Sequence, residues 1–169
     1  ARNHGSFVYP AEFMLVAAMN PCPCGNYPDM QKCSCTPRQI EQYLGKISQP
    51  FLDRMDLCIE TPRVQYQELE ATKKEETSEV IRKRVSIARD IQKERYKTGK
   101  ADTNAMLGPR EIATYVRLGK EEKELMEQAF EKLGLTARTY HKILRVARTI
   151  ADLEQSTEVK SIHLKEAIG

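Results

Sequence analysis

The chain has 169 residues, of which 40% are hydrophobic and 30% are charged, as in a largely helical globular protein of one domain or two small ones. Its longest apolar run is too short to span a membrane, and its first residues lack the pattern of a secretion signal. The net charge of +3 is too small to indicate nucleic-acid binding by itself. We expect a soluble, cytoplasmic protein and, because the first residue is not Met, a piece of a longer chain.

The first third of the chain predicts a few strands. Residues 6–9 and 13–19 are predicted as two strands separated by Pro10, and the unbroken apolar run over 13–19 is typical of a strand buried on both faces of a parallel sheet. Residues 56–60 alternate apolar and polar side chains, as a half-buried strand does. Asn20 directly follows the second run, at the strand end where α/β proteins place their chemistry, so its amide could orient a water or a phosphate. The alternative is that Asn20 only begins a turn.

A loop over residues 21–35 holds four cysteines in two close pairs: Cys22, Cys24, Cys33 and Cys35. Four thiolates surround a tetrahedral Zn²⁺ with bonds of about 2.3 Å, and such a site is structural because no ligand position stays open. Each pair has one intervening residue, whereas structural zinc sites usually have two or more. Free or redox-labile thiols and disulfides are the other interpretations, although nothing in the sequence indicates an oxidising compartment. We expect Cys58, on a predicted strand, to be a small buried hydrophobe.

Helix signals begin after this loop. Thr36 is a good N-cap, with Pro37 at the first helical position and Gln39 three residues after the cap, so a helix is predicted to about Leu44. Residues 50–54 suggest a short turn or helix.

Beyond residue 62 the composition becomes polar and charged, and then apolar residues recur at helical spacing. Helices are predicted over 80–96, from Pro109, over about 120–133 before Gly134, after the cap Thr136, and over 162–168 after Ser161. The sequence therefore predicts an α/β remnant over residues 1–61, a linker over 62–78, and an all-α bundle of four to five helices over 79–169.

Several arginines are candidates for binding phosphate. Arg54 lies between Asp53 and Asp56, where it could clamp a phosphate or form a local salt bridge. Arg138 falls in the first turn of a predicted helix, where its charge opposes the helix dipole; this indicates either a phosphate partner or a solvated surface position. The same helix carries four cations on roughly one face, which is either a phosphate- or nucleic-acid-facing stripe or a solvated polar face: Arg138, Lys142, Arg145 and Arg148.

Four segments in order, residues 5–11, 13–25, 50–57 and 135–153, followed by His163 and Leu164, resemble the carboxyl-terminal half of a magnesium-chelatase-like AAA+ ATPase. The resemblance is strongest to the competence-associated subfamily of hexameric helicases, which drive branch migration of recombining DNA. It implies that residues 1–61 belong to the α/β core of an AAA+ domain and that residues 62–169 are its linker and helical lid.

The resemblance also implies roles for three residues. Asn20 matches sensor 1, which helps to orient the attacking water near the γ-phosphate. Arg54 resembles the arginine finger that reaches the ATP of the neighbouring subunit, a residue worth about 10³–10⁵ in rate. Arg138 resembles sensor 2, the lid arginine that reports the nucleotide state. ATP and Mg²⁺ are the implied cofactors of the full-length protein, beside structural Zn²⁺, and the implied partners are a hexameric ring of the protein itself and DNA.

The chain also departs from the family pattern. It contains no G-x-x-x-x-G-K-[S/T] motif and no apolar strand ending in a paired acidic Mg²⁺ site, and we expect both upstream of residue 1. By itself the chain is therefore expected not to hydrolyse ATP. Two alternatives stay open. One is the motor subunit of a magnesium chelatase, which drives Mg²⁺ into a porphyrin and in which the four-cysteine insertion would be unexpected. The other is a stand-alone zinc-stabilised helical module that binds partners or nucleic acid.

Overall fold

The computed structural model describes residues 8–9, 11, 13–61, 64, 66, 76–99 and 101–169. The chain divides into two compact units, Ala1–Leu52 and Asp53–Gly169, which we call the cysteine unit and the helical unit. The described residues form seven α-helices and one 3₁₀ turn (Asn104–Met106): α1 (Pro37–Leu44), α2 (Gln49–Leu52), α3 (Ser78–Tyr96), α4 (Pro109–Tyr115), α5 (Lys120–Leu133), α6 (Ala137–Leu153) and α7 (Ser161–Ile168). None of these helices is long and apolar enough to cross a membrane.

The helix ends follow the local signals in the sequence. Thr36 Oγ1 accepts a hydrogen bond from the Gln39 backbone N–H at 3.3 Å, and Gln39 Oε1 accepts one from the Thr36 N–H at 2.8 Å. Thr136 caps α6 through the Thr139 N–H at 3.2 Å. Gly134 ends α5 in the left-handed conformation, at φ 59°, which an L side chain adopts only with strain. The predicted starts at Thr36 and Thr136 and the predicted stop at Gly134 are confirmed.

Among the described residues, the predicted strands are not present. The described part of the chain contains no strand, so the predictions over 13–19 and 56–60 are not confirmed, and the prediction over 6–9 lies partly outside the described residues. A strand is stable only where a neighbouring segment shares its backbone hydrogen bonds. Without such a segment, Met14 and Val16 stay 87% and 80% exposed. Cys58, expected to be buried, is exposed for the same reason.

The predicted linker over 62–78 lies largely outside the described residues. Of this range only residues 64, 66 and 76–78 are described, and the last of them begin α3, where Thr77 Oγ1 accepts a hydrogen bond from the Val80 N–H at 3.4 Å.

The helical unit is built around α6. This helix contacts α3, the 3₁₀ turn, α4 and α7. Its inward face buries Leu144, Ala147 and Ala151, and the opposing elements bring Met126 and Leu164 to the same core. Burying a Leu or Met side chain completely stabilises a fold by about 1.5–3 kcal/mol. Five helices, α3 to α7, surround this core, in agreement with the predicted bundle of four to five.

Candidate functional site

The four cysteines of the loop come together in the cysteine unit. Their Sγ atoms all lie within 4.8 Å of one another. The Cys22 sulfur is 3.4 Å from that of Cys24 and 3.8 Å from that of Cys33, and the Cys24 and Cys33 sulfurs are 3.6 Å apart. Four sulfurs bound tetrahedrally to zinc at about 2.3 Å lie about 3.8 Å apart. The cluster therefore has the donor set and the spacing of a structural zinc site.

The same distances argue against disulfides. A disulfide bond is about 2.05 Å long, and all five cysteines of the chain are free thiols in this structure. Of the three interpretations of the cysteine pairs, metal ligands and free thiols both agree with the observed geometry.

Hydrogen bonds within the loop bring its two ends together. Gly25 has a φ of 76°, and its backbone N–H donates to the Cys22 carbonyl at 3.0 Å, which closes a tight turn. The Tyr27 N–H donates to Cys22 Sγ at 3.4 Å. Asn26 Nδ2 donates to the carbonyl of Lys32 at 3.1 Å, which ties the first cysteine pair to the residues just before the second. The backbone therefore positions the thiols without requiring a disulfide.

The first cysteine pair is disposed toward the thiolate form. The backbone N–H of Asn26 is the main cause that lowers the pKa of Cys24 to about 5. Burial acts most strongly on Cys22 and opposes ionisation, but hydrogen bonds led by the Tyr27 N–H outweigh it and lower the pKa of that thiol. Thiolates are the metal-binding form of cysteine, so this pair is prepared to bind a cation.

The second pair is disposed toward the protonated form. The backbone hydrogen bond from Cys24 favours the thiolate of Cys35, but burial and the neighbouring thiols outweigh it and raise the pKa of Cys35 to about 12. Burial and the thiols of the first pair likewise raise the pKa of Cys33, against a backbone hydrogen bond from Cys35. A metal ion bound here would have to displace the protons of this second pair.

Asn20 lies beside the cysteine loop. Its side chain is exposed and faces Gly25, where an added Cβ would lie 3.8 Å from Asn20 Cγ. The amide belongs to the cysteine unit, whereas Arg54 and Arg138 belong to the helical unit.

The segment that carries Arg54 is fixed to α6. Lys142 Nζ donates to the Met55 carbonyl at 2.7 Å, and Arg145 Nη2 lies 4.0 Å from Asp56 Oδ1. Arg54 itself is exposed, as is Arg138 in the first turn of α6. The helical unit thus holds both arginines on one packed body, with their side chains at its surface.

The predicted four-cation face of α6 is not a single surface. Arg148 is only 1% exposed, and Lys142 and Arg145 contact the segment that follows Arg54. The two interpretations of this face, a nucleic-acid-facing stripe and a solvated polar face, are both wrong for Arg148. Helical spacing places these cations on one side of the helix, but it does not indicate which of them meets a buried carboxylate.

That carboxylate belongs to Asp152, which is completely buried and which the sequence analysis did not single out. Arg95 pairs with both of its oxygens, with Nη1 at 2.8 Å from Oδ2, and Arg148 Nε donates to Oδ1 at 3.1 Å. Asn104 Nδ2 donates to Oδ2 at 2.8 Å and so joins the 3₁₀ turn to the network. The i,i+4 spacing of Arg148 and Asp152, among the small residues of the inward face of α6, was the signal that could have revealed the pair.

The environment shifts the pKa values of the two arginines of this network in opposite directions. The hydrogen bonds with Asp152 are the main cause that raises the pKa of Arg95. Burial is the main cause that lowers the pKa of Arg148, against the attraction of the same carboxylate. Every buried side-chain nitrogen and oxygen of the described residues has a hydrogen-bond partner. The network therefore joins α3, the 3₁₀ turn and α6, and each of its buried polar side chains is hydrogen-bonded.

Comparison with known families gives two matches that together cover most of the chain. The family described as magnesium chelatase, subunit ChlI C-terminal, matches residues 75–169. The family described as magnesium chelatase, subunit ChlI, matches residues 1–69.

Individual relatives match over nearly all of the chain but over only part of their own length. Competence protein ComM of Haemophilus influenzae is 43% identical over 100% of this chain and 32% of its own sequence. The uncharacterised protein YifB of Salmonella typhimurium is 40% identical over 100% of this chain and 33% of its own. The uncharacterised protein Rv2897c of Mycobacterium tuberculosis is 36% identical over 93% of this chain and 31% of its own. The chain spans about a third of the length of these relatives.

Proposed function

This chain belongs to the magnesium chelatase subunit ChlI family, and we propose that it is the carboxyl-terminal part of an ATP-driven AAA+ motor that remodels branched DNA. The observation that carries this proposal is the 43% identity to a competence protein over the whole chain, cysteine loop included. In the proposed motor, full-length subunits form a hexameric ring, and DNA is the substrate on which ATP hydrolysis does work.

Within that motor we assign the α/β core to residues 1–61, the linker to 62–78 and the helical lid to 79–169. The proposal for the core is supported by the exposure of Phe13, Met14 and Val16, which lie in a continuous apolar run. An exposed apolar run of this length needs a covering surface. In the full-length protein we expect residues 13–19 to pair with neighbouring strands and to become buried.

The proposed site residues have the chemistry that phosphoryl transfer requires. Asn20 would orient the attacking water through its amide. Arg54 would stabilise negative charge on the phosphoryl group of the neighbouring subunit's ATP, and Arg138 would contact the nucleotide from the lid. All three side chains are exposed, and this supports their availability to a nucleotide. ATP and Mg²⁺ would supply the energy and the charge neutralisation.

The four cysteines fit a structural zinc ion by donor set and by sulfur spacing. Zn²⁺ held by Cys22, Cys24, Cys33 and Cys35 would crosslink the loop that begins next to Asn20. We therefore propose that zinc fixes the position of this amide relative to the rest of the core and takes no part in the chemistry.

A magnesium chelatase motor is the second candidate, since both family descriptions carry that name. The deciding experiment is ATP hydrolysis by the full-length protein with and without branched DNA. Marked stimulation by DNA is expected for the remodelling motor. Turnover that is indifferent to DNA would favour the chelatase, and a full-length protein without turnover would leave a zinc-stabilised binding module.

The role of Arg54 has its own test. In the full-length protein, Arg54→Ala should abolish ATP turnover and leave nucleotide binding nearly intact, because an arginine finger acts on the ATP of another subunit. Arg110→Ala, at an exposed position in the first turn of α4 and outside every proposed site, is the matched control and should retain turnover. Retained turnover in Arg54→Ala would remove this residue from the finger role.

A further inference from the structure

A groove with an apolar floor and a mainly acidic α5 side lies between α5 and α6 in the helical unit. Its volume is about 350 Å³, and Met126, Phe130 and Tyr140 form its floor. Glu127 and Glu131 stand on its α5 side together with Lys123, so two carboxylates and one ammonium group line the groove. Phe130 is 42% exposed, and its ring meets that of Tyr140 edge-on, with centroids 6.3 Å apart. We call this surface the α5–α6 groove.

The same unit displays a second apolar surface at the start of α3. Ile81 and Val85 lie one turn apart on the face of α3 that, further along, buries Ala88 and Gln92. The buried part packs within the unit, but Ile81 and Val85 stay 41% and 45% exposed. The apolar stripe of α3 therefore continues beyond its own core, and we call these two exposed residues the α3 extension.

Basic side chains flank the α3 extension. At 100° per residue, Arg82 and Arg89 fall on one side of the stripe formed by Ile81 and Val85, and Arg84 falls on the other. Arg82 and Arg89 are exposed, and Arg84 is half exposed with a salt bridge to Glu76 at 2.9 Å. The extension thus has an apolar centre with positive edges, whereas the groove has an apolar centre with a net negative α5 side.

We propose that the α3 extension of one copy of this chain docks in the α5–α6 groove of a second copy. Ile81 and Val85 would cover Phe130, and Arg82 and Arg89 would face the carboxylates of α5. The contact cannot form within one chain, because α3 is held against α6 further along the helix and an internal contact would already bury Ile81 and Val85.

The two surfaces of this contact differ from each other, so the association is head-to-tail. Head-to-tail contacts generate rings when the rotation closes and open filaments when it does not. The contact gives the proposed ring a specific interface, and its role in a motor rests on the proposed function. Its own test requires neither ATP nor DNA.

The experiment measures self-association of this chain by sedimentation over a wide range of concentration, at low and at high salt. Glu127→Arg in the groove and Arg82→Glu beside the extension should each weaken association about tenfold by placing like charges opposite each other. Combined in one chain, the two substitutions should restore association to near the original strength. Lys132→Glu, a charge reversal on the opposite side of α5, is the matched control and should leave association unchanged.

Three results would overturn the contact: a chain that is monomeric at every concentration, a double variant that is no stronger than the single ones, or a control that weakens association equally. Weakened DNA binding with unchanged association in Arg82→Glu would assign the basic edge to nucleic acid and would also overturn it. Circular dichroism of each variant excludes misfolding as the cause.

Failure of this contact is separable from failure of the proposed motor. A full-length protein with DNA-stimulated turnover whose Glu127→Arg variant assembles unchanged would overturn the contact alone. A chain that associates as expected, from a full-length protein that hydrolyses no ATP, would overturn the motor alone.

Discussion

The cysteine unit and the helical unit are held together by different forces. Among the described residues of the cysteine unit, only Cys22 and Ile40 are buried apolar side chains. The helical unit has a continuous cluster of 12 buried hydrophobic residues and a buried ion network beneath it. Small units without a core need crosslinks or metals to be stable, whereas a bundle with a core does not. We therefore expect the two units of this chain to depend on different kinds of stabilisation, which can be removed separately.

The largest expected difference between the stabilities of the two units appears when the proposed zinc ion is removed. Under reducing conditions the chain should hold about one Zn²⁺, measured by elemental analysis. A chelator, or Cys24→Ser, should unfold the cysteine loop while the melting of the helical unit stays unchanged. Cys58→Ser is the control and should keep the metal, because Cys58 lies outside the cluster. Metal-free protein with four titratable thiols would contradict this prediction.

The converse experiment destabilises the helical unit alone. Arg148→Met leaves the carboxylate of Asp152 with one charged partner fewer in a fully buried position, so the unit should lose about 3–5 kcal/mol of unfolding free energy. Arg110→Met removes an exposed arginine from α4 and should cost less than about 1 kcal/mol. Urea denaturation followed by circular dichroism measures both losses. Equal losses would show that the buried network contributes no more to stability than an exposed arginine does. The zinc content should not change in either variant.

Zinc binding by the cysteine unit should depend strongly on pH. The pKa of Cys24, at about 5, makes it a thiolate at neutral pH, whereas the raised pKa values of Cys33 and Cys35 keep these thiols protonated. Zinc uptake near neutral pH should therefore release at least the two protons of Cys33 and Cys35, and the affinity should rise at least about a hundredfold for each unit of pH increase. Competition with a chromophoric chelator at several pH values measures this slope. A flat profile would mean that the protonated pair does not bind the metal.

The smallest expected effect compares two equivalent helix caps. Thr36→Ala and Thr136→Ala each remove a side chain that accepts a backbone N–H, and each should cost about 1 kcal/mol. The first loss should appear only in the cysteine unit and the second only in the helical unit. Thermal melts of the zinc-loaded chain, followed by NMR signals of α1 and α6, measure where each loss falls. A loss shared by both units would show that they unfold as one.

Local signals in the sequence predicted the helices well, whereas features that depend on residues far away in the chain were not predicted. Thr36, Thr136 and Gly134 act through backbone groups within a few residues, so their effect can be predicted from the sequence alone. The strand over 13–19 depends on a pairing segment that the described residues do not contain. The burial of Arg148 depends on the position of Asp152 relative to Arg95, which is 57 residues away in the chain.

The candidate site was predictable in part for the same reason. The cysteines were identified by residue type, and the order of the family segments gave the family, which the family matches confirm. The proximity of the four sulfurs instead depends on hydrogen bonds such as that from Asn26 to Lys32, which spacing does not reveal. The roles of Asn20, Arg54 and Arg138 stay predictions until turnover is measured.

The bond from Lys142 to the Met55 carbonyl has a mechanical consequence. It fixes the segment that carries Arg54 to the helix whose first turn carries Arg138, so both arginines belong to the same packed unit. A displacement of the segment that carries Arg54 is therefore expected to strain the bond from Lys142 and to act on α6, whose first turn carries Arg138.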